Sequence, residues 1–446
     1  MPQPKAPRRP RVALLTLGCS KNLVDSEQIA SLLARSGVEV VHSIDGADVA
    51  VINTCGFIES AKEEAIDLIL DVVAHKARGG LRGLIVTGCL SQRYGEELTK
   101  LLPEADAVLG IDPEGAARLA LKTLGRPLER LPEPVMRRSR RLTPPAWSYL
   151  CIAHGCANRC AYCAIPLIRG PLRSRPVREL LEEARYLAEQ GVRELNIIAQ
   201  DTANYGADTA GAPQLHALLR ELCRVDGLVW VRLLYAHPAH VYDELVDVIA
   251  EGGKVCPYVD LPLQHVNDRI LEQMGRKVTR AQIERLLQKL RERIPGVTLR
   301  TTFIAGFPGE TEGEFEELLG FVEEARFDRV GCFAYSEEEG TPAAGLPGQV
   351  PRHVREERRA ALMAAQQRIA FELAAARVGE EAVVLMEERP AGEDSLPPAR
   401  SQREAPEVDP VIYVAGEPAP QAGQFAHVRI VGSAGYDCIA ELVSEG

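Results

Sequence analysis

The chain has 446 residues, more than one hydrophobic core usually supports, so two or three domains are expected. Hydrophobic residues at 46% and charged residues at 26% are ordinary for a soluble globular protein, and no apolar run approaches the ~20 residues of a membrane span. The net charge of −11 is concentrated at the end: from Arg377 to Gly446 there are five arginines, no lysine and thirteen acids, a surface that repels phosphate backbones and suits a basic partner, or else merely a solvated acidic face.

Residues 1–10 are basic and proline-rich and read as a disordered tail, because the apolar run that follows, Val12 to Leu17, is too short for a signal-peptide core. Eleven cysteines, an odd number without a secretory signal, argue for reduced thiols and metal ligation, with the cytoplasm as the expected location. Residues 11–125 alternate strand and helix. Strands are expected at Val12–Leu17, Val49–Ile52 and Leu84–Thr87, with a helix from Asn22 to Ser36 ended by Gly37. Ser60 is expected to cap a helix running through His75, with Glu63 completing a capping box. Such alternation implies a parallel sheet with helices on both faces, whose ligands gather beyond the carboxyl ends of the strands. Cys19, Cys55 and Cys89 each stand just past one of these strands.

Residues 126–147 are rich in Pro and Arg and read as a solvated linker, or as a basic patch. Residues 148–375 hold six further apolar runs: Tyr149–Ala153, Glu194–Ala199, Leu228–Tyr235, Tyr258–Leu263, Thr298–Ala305 and Arg329–Tyr335. Helical patterns separate them, which predicts a partial parallel barrel with its site at the carboxyl ends of the strands. Residues 377–446 carry short β-like runs at Ala382–Met386, Val411–Val414, Phe425–Ile430 and Asp437–Leu442, as in a small all-β barrel domain. The fold class is thus α/β with a terminal all-β domain.

Cys156, Cys160 and Cys163 form a compact Cys-x3-Cys-x2-Cys motif directly after the first barrel strand. Three thiolates hold three corners of a cubane cluster and leave the fourth iron open for a cofactor or substrate. An open iron can chelate the amino and carboxylate groups of S-adenosylmethionine and deliver the electron that cleaves it to a radical. Zinc is the competing ion, with His154 or Cys151 as a fourth ligand. For the dispersed triad, the competing reading is three buried core cysteines.

With these motifs the chain resembles the radical S-adenosylmethionine superfamily and, within it, the methylthiotransferases, in the three-part order of cysteine domain, radical barrel and terminal TRAM domain. The resemblance implies two 4Fe–4S clusters and S-adenosylmethionine as cofactors. Cys156, Cys160 and Cys163 would hold the radical cluster, and Cys19, Cys55 and Cys89 an auxiliary cluster that delivers sulfur. The stretches Leu17–Ser26, Asn53–Ser60 and Ala199–Thr202 with Tyr205-Gly206 are similar to the branch that modifies a small-subunit ribosomal protein. That branch methylthiolates the β-carbon of an aspartate in ribosomal protein S-twelve; the alternative branch modifies a tRNA adenosine. Ser20 and Lys21 stand where the tRNA branch has Gln and Met, and the acidic end contrasts with that branch's basic one. The implied partners are S-twelve or the small ribosomal subunit and an electron-donor protein, with neither a membrane nor direct nucleic-acid binding expected. The chain departs from the family at Cys151-Ile-Ala-His-Gly-Cys156, where Lys-Ile-Ser-Glu-Gly-Cys is usual.

Cofactor contacts are expected from Gln200 and Asp201 at the end of the second barrel strand, and from Arg173 or Arg175 pairing with the cofactor carboxylate. The turn Gly306-Phe-Pro-Gly309-Glu310 is expected to cradle the cofactor, its glycines permitting close backbone approach. His265 is expected to be a satisfied polar residue, and Cys223, Cys256, Cys332 and Cys438 to be incidental.

Overall fold

A computed structural model describes residues 8–126, 138–389 and 395–443. The chain forms two compact units: residues up to Leu142 together with Ala164–Pro171, and Thr143–Cys163 together with Leu172 onward.

The first unit contains β1 (Arg11–Thr16), α1 (Ser20–Arg35), β2 (Glu39–Val41), β3 (Val49–Thr54), α2 (Glu59–Ala77), β4 (Gly83–Gly88), α3 (Cys89–Leu101), β5 (Ala107–Val108) and α4 (Pro113–Thr123). The strands form one parallel sheet in the order β2-β1-β3-β4-β5. Every residue of β3 and β4 is buried, which is why these strands read as continuous apolar runs. Helices α1 and α4 cover one face through Ile29, Leu33, Ala117 and Leu121, and α2 covers the other through Ala65, Ile69 and Val72. The predicted capping box on α2 does not form. The helix begins at Glu59, one residue before Ser60, and its cap position is Ile58, without a side-chain hydrogen bond.

Of the expected linker, residues 127–137 lie outside the described residues, as do residues 1–7 of the expected tail. Arg138 is no part of a solvated connection. Its side chain is fully buried and paired with the equally buried Glu27 of α1.

The second unit begins with β6 (Trp147–Cys151) and the short β7 (Ala153–His154). Residues 164–171 then contribute α5 (Ile165–Ile168) to the first unit, before the chain returns with β8 (Arg173–Ser174). Five strands follow: β9 (Glu194–Ile198), β10 (Trp230–Leu233), β11 (Val255–Gln264), β12 (Thr298–Ala305) and β13 (Arg329–Ala334). Together with β6 they make an all-parallel sheet in the order β13-β12-β11-β10-β9-β6, the six-unit open form of a (β/α) barrel. All six strands overlap the apolar runs expected from sequence, with ends displaced by up to three residues. Helices between them bury one face each, as Leu180, Ala184 and Leu187 do on Val177–Glu189.

The helix Arg352–Ala376 leads into β14 (Glu381–Met386), β15 (Pro398–Arg400), β16 (Ile412–Ala415), β17 (Phe425–Ala434) and β18 (Asp437–Leu442). These close into a barrel in the order β14-β15-β16-β18-β17. Strand β15 was not foreseen, because Pro-Ala-Arg carries no β signal.

The segment from β15 to β16 also changes the reading of the acidic end. One residue from each of the six parallel strands meets it. Tyr149 Oη donates to Glu407 (2.7 Å), Glu194 pairs with Arg400 (2.8 Å), and Arg232 donates to the Gln402 carbonyl (2.6 Å). Tyr258 Oη donates to Asp409 (2.7 Å), Arg300 lies 3.8 Å from Asp409, and Arg329 lies 3.5 Å from Glu404. The side chains of Glu404 and Asp409 are 1% exposed. Two of the thirteen acids are therefore interior partners of barrel arginines rather than parts of an outer face.

Candidate functional site: two cysteine triads

In the first unit the three dispersed cysteines stand at the carboxyl ends of β1, β3 and β4: Cys19 precedes α1, Cys55 follows β3, and Cys89 opens α3. Two glycines let these loops close on one another. Gly18 has φ +93°, and a Cβ placed there would lie 2.8 Å from Cβ and 3.0 Å from Sγ of Cys55. A Cβ on Gly56 would lie 2.6 Å from Cα of Leu90 and 3.0 Å from the carbonyl carbon of Cys89. Asn22, fully buried on the first turn of α1, ties the set together. Its Nδ2 donates to the carbonyls of Leu17 (3.0 Å) and Thr54 (2.9 Å), while its Oδ1 accepts from Cys89 Sγ (3.3 Å). Asn53 Nδ2 donates back to the Asn22 carbonyl at 2.8 Å.

A buried arginine completes this site. Arg169, just after α5, donates through Nη2 to Asp25 Oδ2 (2.8 Å), to Asn22 Oδ1 (2.8 Å) and to Cys89 Sγ (3.8 Å). Helix α5 is seated by Ala164 and Ile168, which pack with Cys89 and Ile111. Burial pushes the Cys89 thiol up to about 11, and the neighbouring Cys19 and Cys55 add to this, while Arg169 pulls it down. Cys55 is raised for the same first reason, burial.

In the second unit Cys156, Cys160 and Cys163 occupy the loop after β6 and β7, beyond the carboxyl end of the first barrel strand. Three hydrogen bonds set the loop's shape. Asn158 N donates to Cys156 Sγ (3.4 Å), Cys163 N to the Cys160 carbonyl (3.1 Å), and Ala161 N to the Met274 carbonyl (2.9 Å). Arg276 is the counterpart of Arg169: buried, it donates to Cys160 Sγ (3.7 Å), to Tyr162 Oη (3.4 Å) and to the Pro262 carbonyl. Burial pushes the Cys156 thiol up to about 11 against the opposing hydrogen bond from Asn158. A buried thiol gives up its proton when a metal takes its lone pair. Each triad thus offers three soft sulfur donors beside one fixed guanidinium, donors of the kind an iron–sulfur cluster takes; among the described residues no group of three or more His, Cys, Asp or Glu side chains is drawn together as around a single metal ion.

Asp201, expected as a cofactor ligand, is held by protein groups. It accepts from Asn158 Nδ2 (2.8 Å) and His237 N (3.1 Å) and pairs with His240 Nδ1 at 2.6 Å. Burial would raise its carboxyl, but the His240 contact and the His237 N–H outweigh it and hold the carboxyl below its usual range. It thereby anchors the cysteine loop to the end of β9. Gln200 is half-buried beside it. Arg173 is exposed on β8, paired antiparallel with β7 opposite His154. Arg175 is committed to Glu183 and to the Cys151 carbonyl, both at 2.8 Å.

The Gly306–Gly309 turn closes on its own Glu310. That carboxylate accepts from Gly306 N (2.8 Å) and Phe307 N (3.2 Å) and is held by Arg358 (2.9 Å), while Gly309 N bonds the Gly348 carbonyl. The turn's N–H groups are thus spent internally. His265 is wholly buried; its Nδ1 accepts from Asn267 N at 3.0 Å, but its Nε2 makes no hydrogen bond and lies 3.7 Å from Glu310 Oε2, so the expectation of a fully satisfied polar residue holds for one ring nitrogen only.

Sequence reasoning passed over Arg169 and Arg276. Arg169 had one legible signal, a lone charge ending the apolar run Ala164–Ile168. Arg276 had none, because only the fold brings it to Cys160.

A partial barrel with a three-cysteine loop beyond its first strand is the architecture of a radical enzyme. Residues 150–322 match the radical SAM superfamily, residues 11–110 match the Uncharacterized protein family UPF0004, and residues 378–443 match the TRAM domain. Among solved structures, the radical S-adenosylmethionine methyltransferase TsrM from Kitasatospora setae superposes with a TM-score of 0.53 at 16% identity, over 75% of this chain and 77% of that one. At that identity the likeness is one of fold. Sequence relatives are much nearer. The ribosomal protein uS12 methylthiotransferase RimO of Geobacter sulfurreducens is 45% identical over 97% of this chain and 99% of its own length. Those of Geotalea uraniireducens and Clostridioides difficile are 46% and 42% identical over similar spans. The chain belongs to this family of radical SAM methylthiotransferases.

Proposed function

We infer that the protein adds a methylthio group to the β-carbon of an aspartate in ribosomal protein uS12 (S-twelve). The observation that carries the methylthio chemistry of this reading is the second triad. A radical barrel alone has no use for three cysteines gathered at the strand ends of a separate sheet, whereas a sulfur-inserting enzyme needs a second cluster. Full-length similarity to relatives named for this reaction supports it, and the tRNA alternative finds no support among those relatives.

When bound, two 4Fe–4S clusters and S-adenosylmethionine supply the reductive cleavage, hydrogen abstraction and sulfur delivery. The chain's part is to hold and orient them. We assign Cys156, Cys160 and Cys163 to the radical cluster and Cys19, Cys55 and Cys89 to the auxiliary cluster. Asp201 fixes the radical loop through Asn158, and Arg276 fixes Cys160 and Tyr162. Gln200 and the backbone carbonyls of the Gly306–Gly309 turn are assigned to the cofactor. Exposed Arg173 is a weaker candidate for its carboxylate.

Among the described residues no helix is long and apolar enough to cross a membrane. A ribosomal substrate supports a cytoplasmic location for the reaction. The partner is uS12, free or within the small subunit, with an electron-donor protein and no direct hold on nucleic acid. The exposed acids Glu388, Glu417 and Glu441 give the terminal barrel negative surface charge suited to that basic partner.

The test is the mass of the uS12 peptide carrying the target aspartate, compared between strains with and without the gene. The peptide is expected to lose one methylthio increment when the gene is absent. An unchanged peptide, with a tRNA adenosine losing that group instead, would establish the tRNA reaction.

A further inference from the structure

We propose that Arg169 is a positioning residue that sets the reduction potential of the auxiliary cluster, with Asp25 as the opposing charge. The proposal rests on the assignment of that cluster to Cys19, Cys55 and Cys89. Its observations are separate from that assignment. The Arg169 and Asp25 side chains are 3% and 7% exposed, so both charges act in a poorly screened medium. One nitrogen, Nη2, reaches Asp25 Oδ2, Asn22 Oδ1 and Cys89 Sγ. Arginine holds its charge at any working pH, and its rigid fork cannot turn away once Asp25 and Asn22 fix it.

The physical consequence has a definite sign. Reduction adds one negative charge to the cluster. A guanidinium donating to a ligand sulfur stabilises that charge and raises the potential. The Asp25 carboxylate, 2.8 Å from the same nitrogen, offsets part of this effect. Removing the cation should therefore make the cluster harder to reduce, and removing the anion should make it easier. A merely structural pair would behave differently. Breaking it from either side would loosen the same loop and move the potential in one common direction, or not at all.

The placement is also informative. Arg169 lies six residues after Cys163, the last cysteine of the radical loop, yet belongs to the unit of the auxiliary triad. The excursion 164–171 thus supplies the one cation in hydrogen-bonding reach of Cys89 among the described residues.

The experiment uses the full chain with Cys156, Cys160 and Cys163 replaced by alanine, reconstituted with iron and sulfide, so that only the auxiliary cluster is read. Iron per chain is measured first, then the midpoint potential by a redox titration followed by electron paramagnetic resonance. Arg169→Gln is expected to lower the potential and Asp25→Asn to raise it. Each shift should be about tenfold in the reduction equilibrium, about 59 mV for one electron. Arg169→Lys, which keeps the charge, should stay near the parent value. A loaded cluster whose potential moves the same way in Arg169→Gln and Asp25→Asn, or moves in neither, overturns the proposal. If Arg169→Gln fails to assemble, Asp25→Asn and Arg169→Lys decide: a missing upward shift in the first, or a large downward shift in the second, refutes it. Absence of iron from the parent itself would refute the cluster assignment instead.

Discussion

Asp201 illustrates how a residue at a strand end can serve its neighbours. Its two oxygens are shared among Asn158, His237 and His240, so it transmits the position of β9 to the cysteine loop. Hydrogen bonds to a charged group contribute roughly 1.5–3 kcal/mol in total effect when a partner is removed. Asp201→Asn is therefore expected to lower stability by about that much at neutral pH and to reduce iron retained at Cys156, Cys160 and Cys163. Because the folded carboxyl is held below its ordinary value, its contribution is complete above the unfolded pKa of about 3.9. It fades as pH falls through and below that point. Urea unfolding of both proteins at pH 7 and pH 3 checks this: the difference between them should shrink at the lower pH. A gap of equal size at both values would show that the carboxylate's charge is not what matters.

At the scale of elements, the dispersed triad depends on how closely two strand-end loops approach. Residues 55–56 lie against the first turn of α3 with no room for a side chain at Gly56, whose Cβ would meet backbone atoms of Leu90 at 2.6 and 2.7 Å. Backbone cannot swing aside as a flexible side chain can. Gly56→Val should cost about 1–3 kcal/mol by overpacking and push Cys55 away from Cys89. The measurable outcome is loss of about half of the bound iron, with the radical cluster's spectroscopic signature retained. Retention of both clusters at full iron content would show that the loop has slack the geometry does not reveal. The strands themselves were readable, since parallel strands buried on both faces are written as unbroken apolar runs. The two-residue β5 and the three-residue β15 were not, because pairing and burial, rather than local preference, make them strands.

For the second unit as a whole, the connection from β15 to β16 fastens the terminal barrel to all six parallel strands through polar groups, most of them buried. Glu404 is the centre of one half of this network. It accepts from Ser401 N (2.9 Å) and Ser401 Oγ (2.6 Å), and pairs with Arg377 (2.7 Å) and Arg329 (3.5 Å). Removing one member of a buried ionic set leaves an uncompensated charge and costs roughly 3–5 kcal/mol. Glu404→Gln keeps the shape and removes only the charge, so a lower denaturation midpoint is expected, with the terminal barrel loosening from the radical barrel. Limited proteolysis after Ala376 would read that loosening directly. Unchanged proteolysis and an unchanged midpoint would mean that the remaining contacts suffice alone.

The sequence by itself determined where six candidate cysteines stand, six barrel strands and the order of the three parts. These are local properties, carried by spacing and by apolar periodicity, and they need no knowledge of what packs on what. Tertiary structure alone decided which charges stand beside these cysteines and strands. Arg169 and Arg276 reach their cysteines across 80 and 116 positions of chain, and Glu404 and Asp409 turn inward to arginines of distant strands. A charge carries no mark of its partner in sequence, since a solvated arginine and a buried one are written with the same letter. Burial distinguishes them, and burial is a property of the assembled fold.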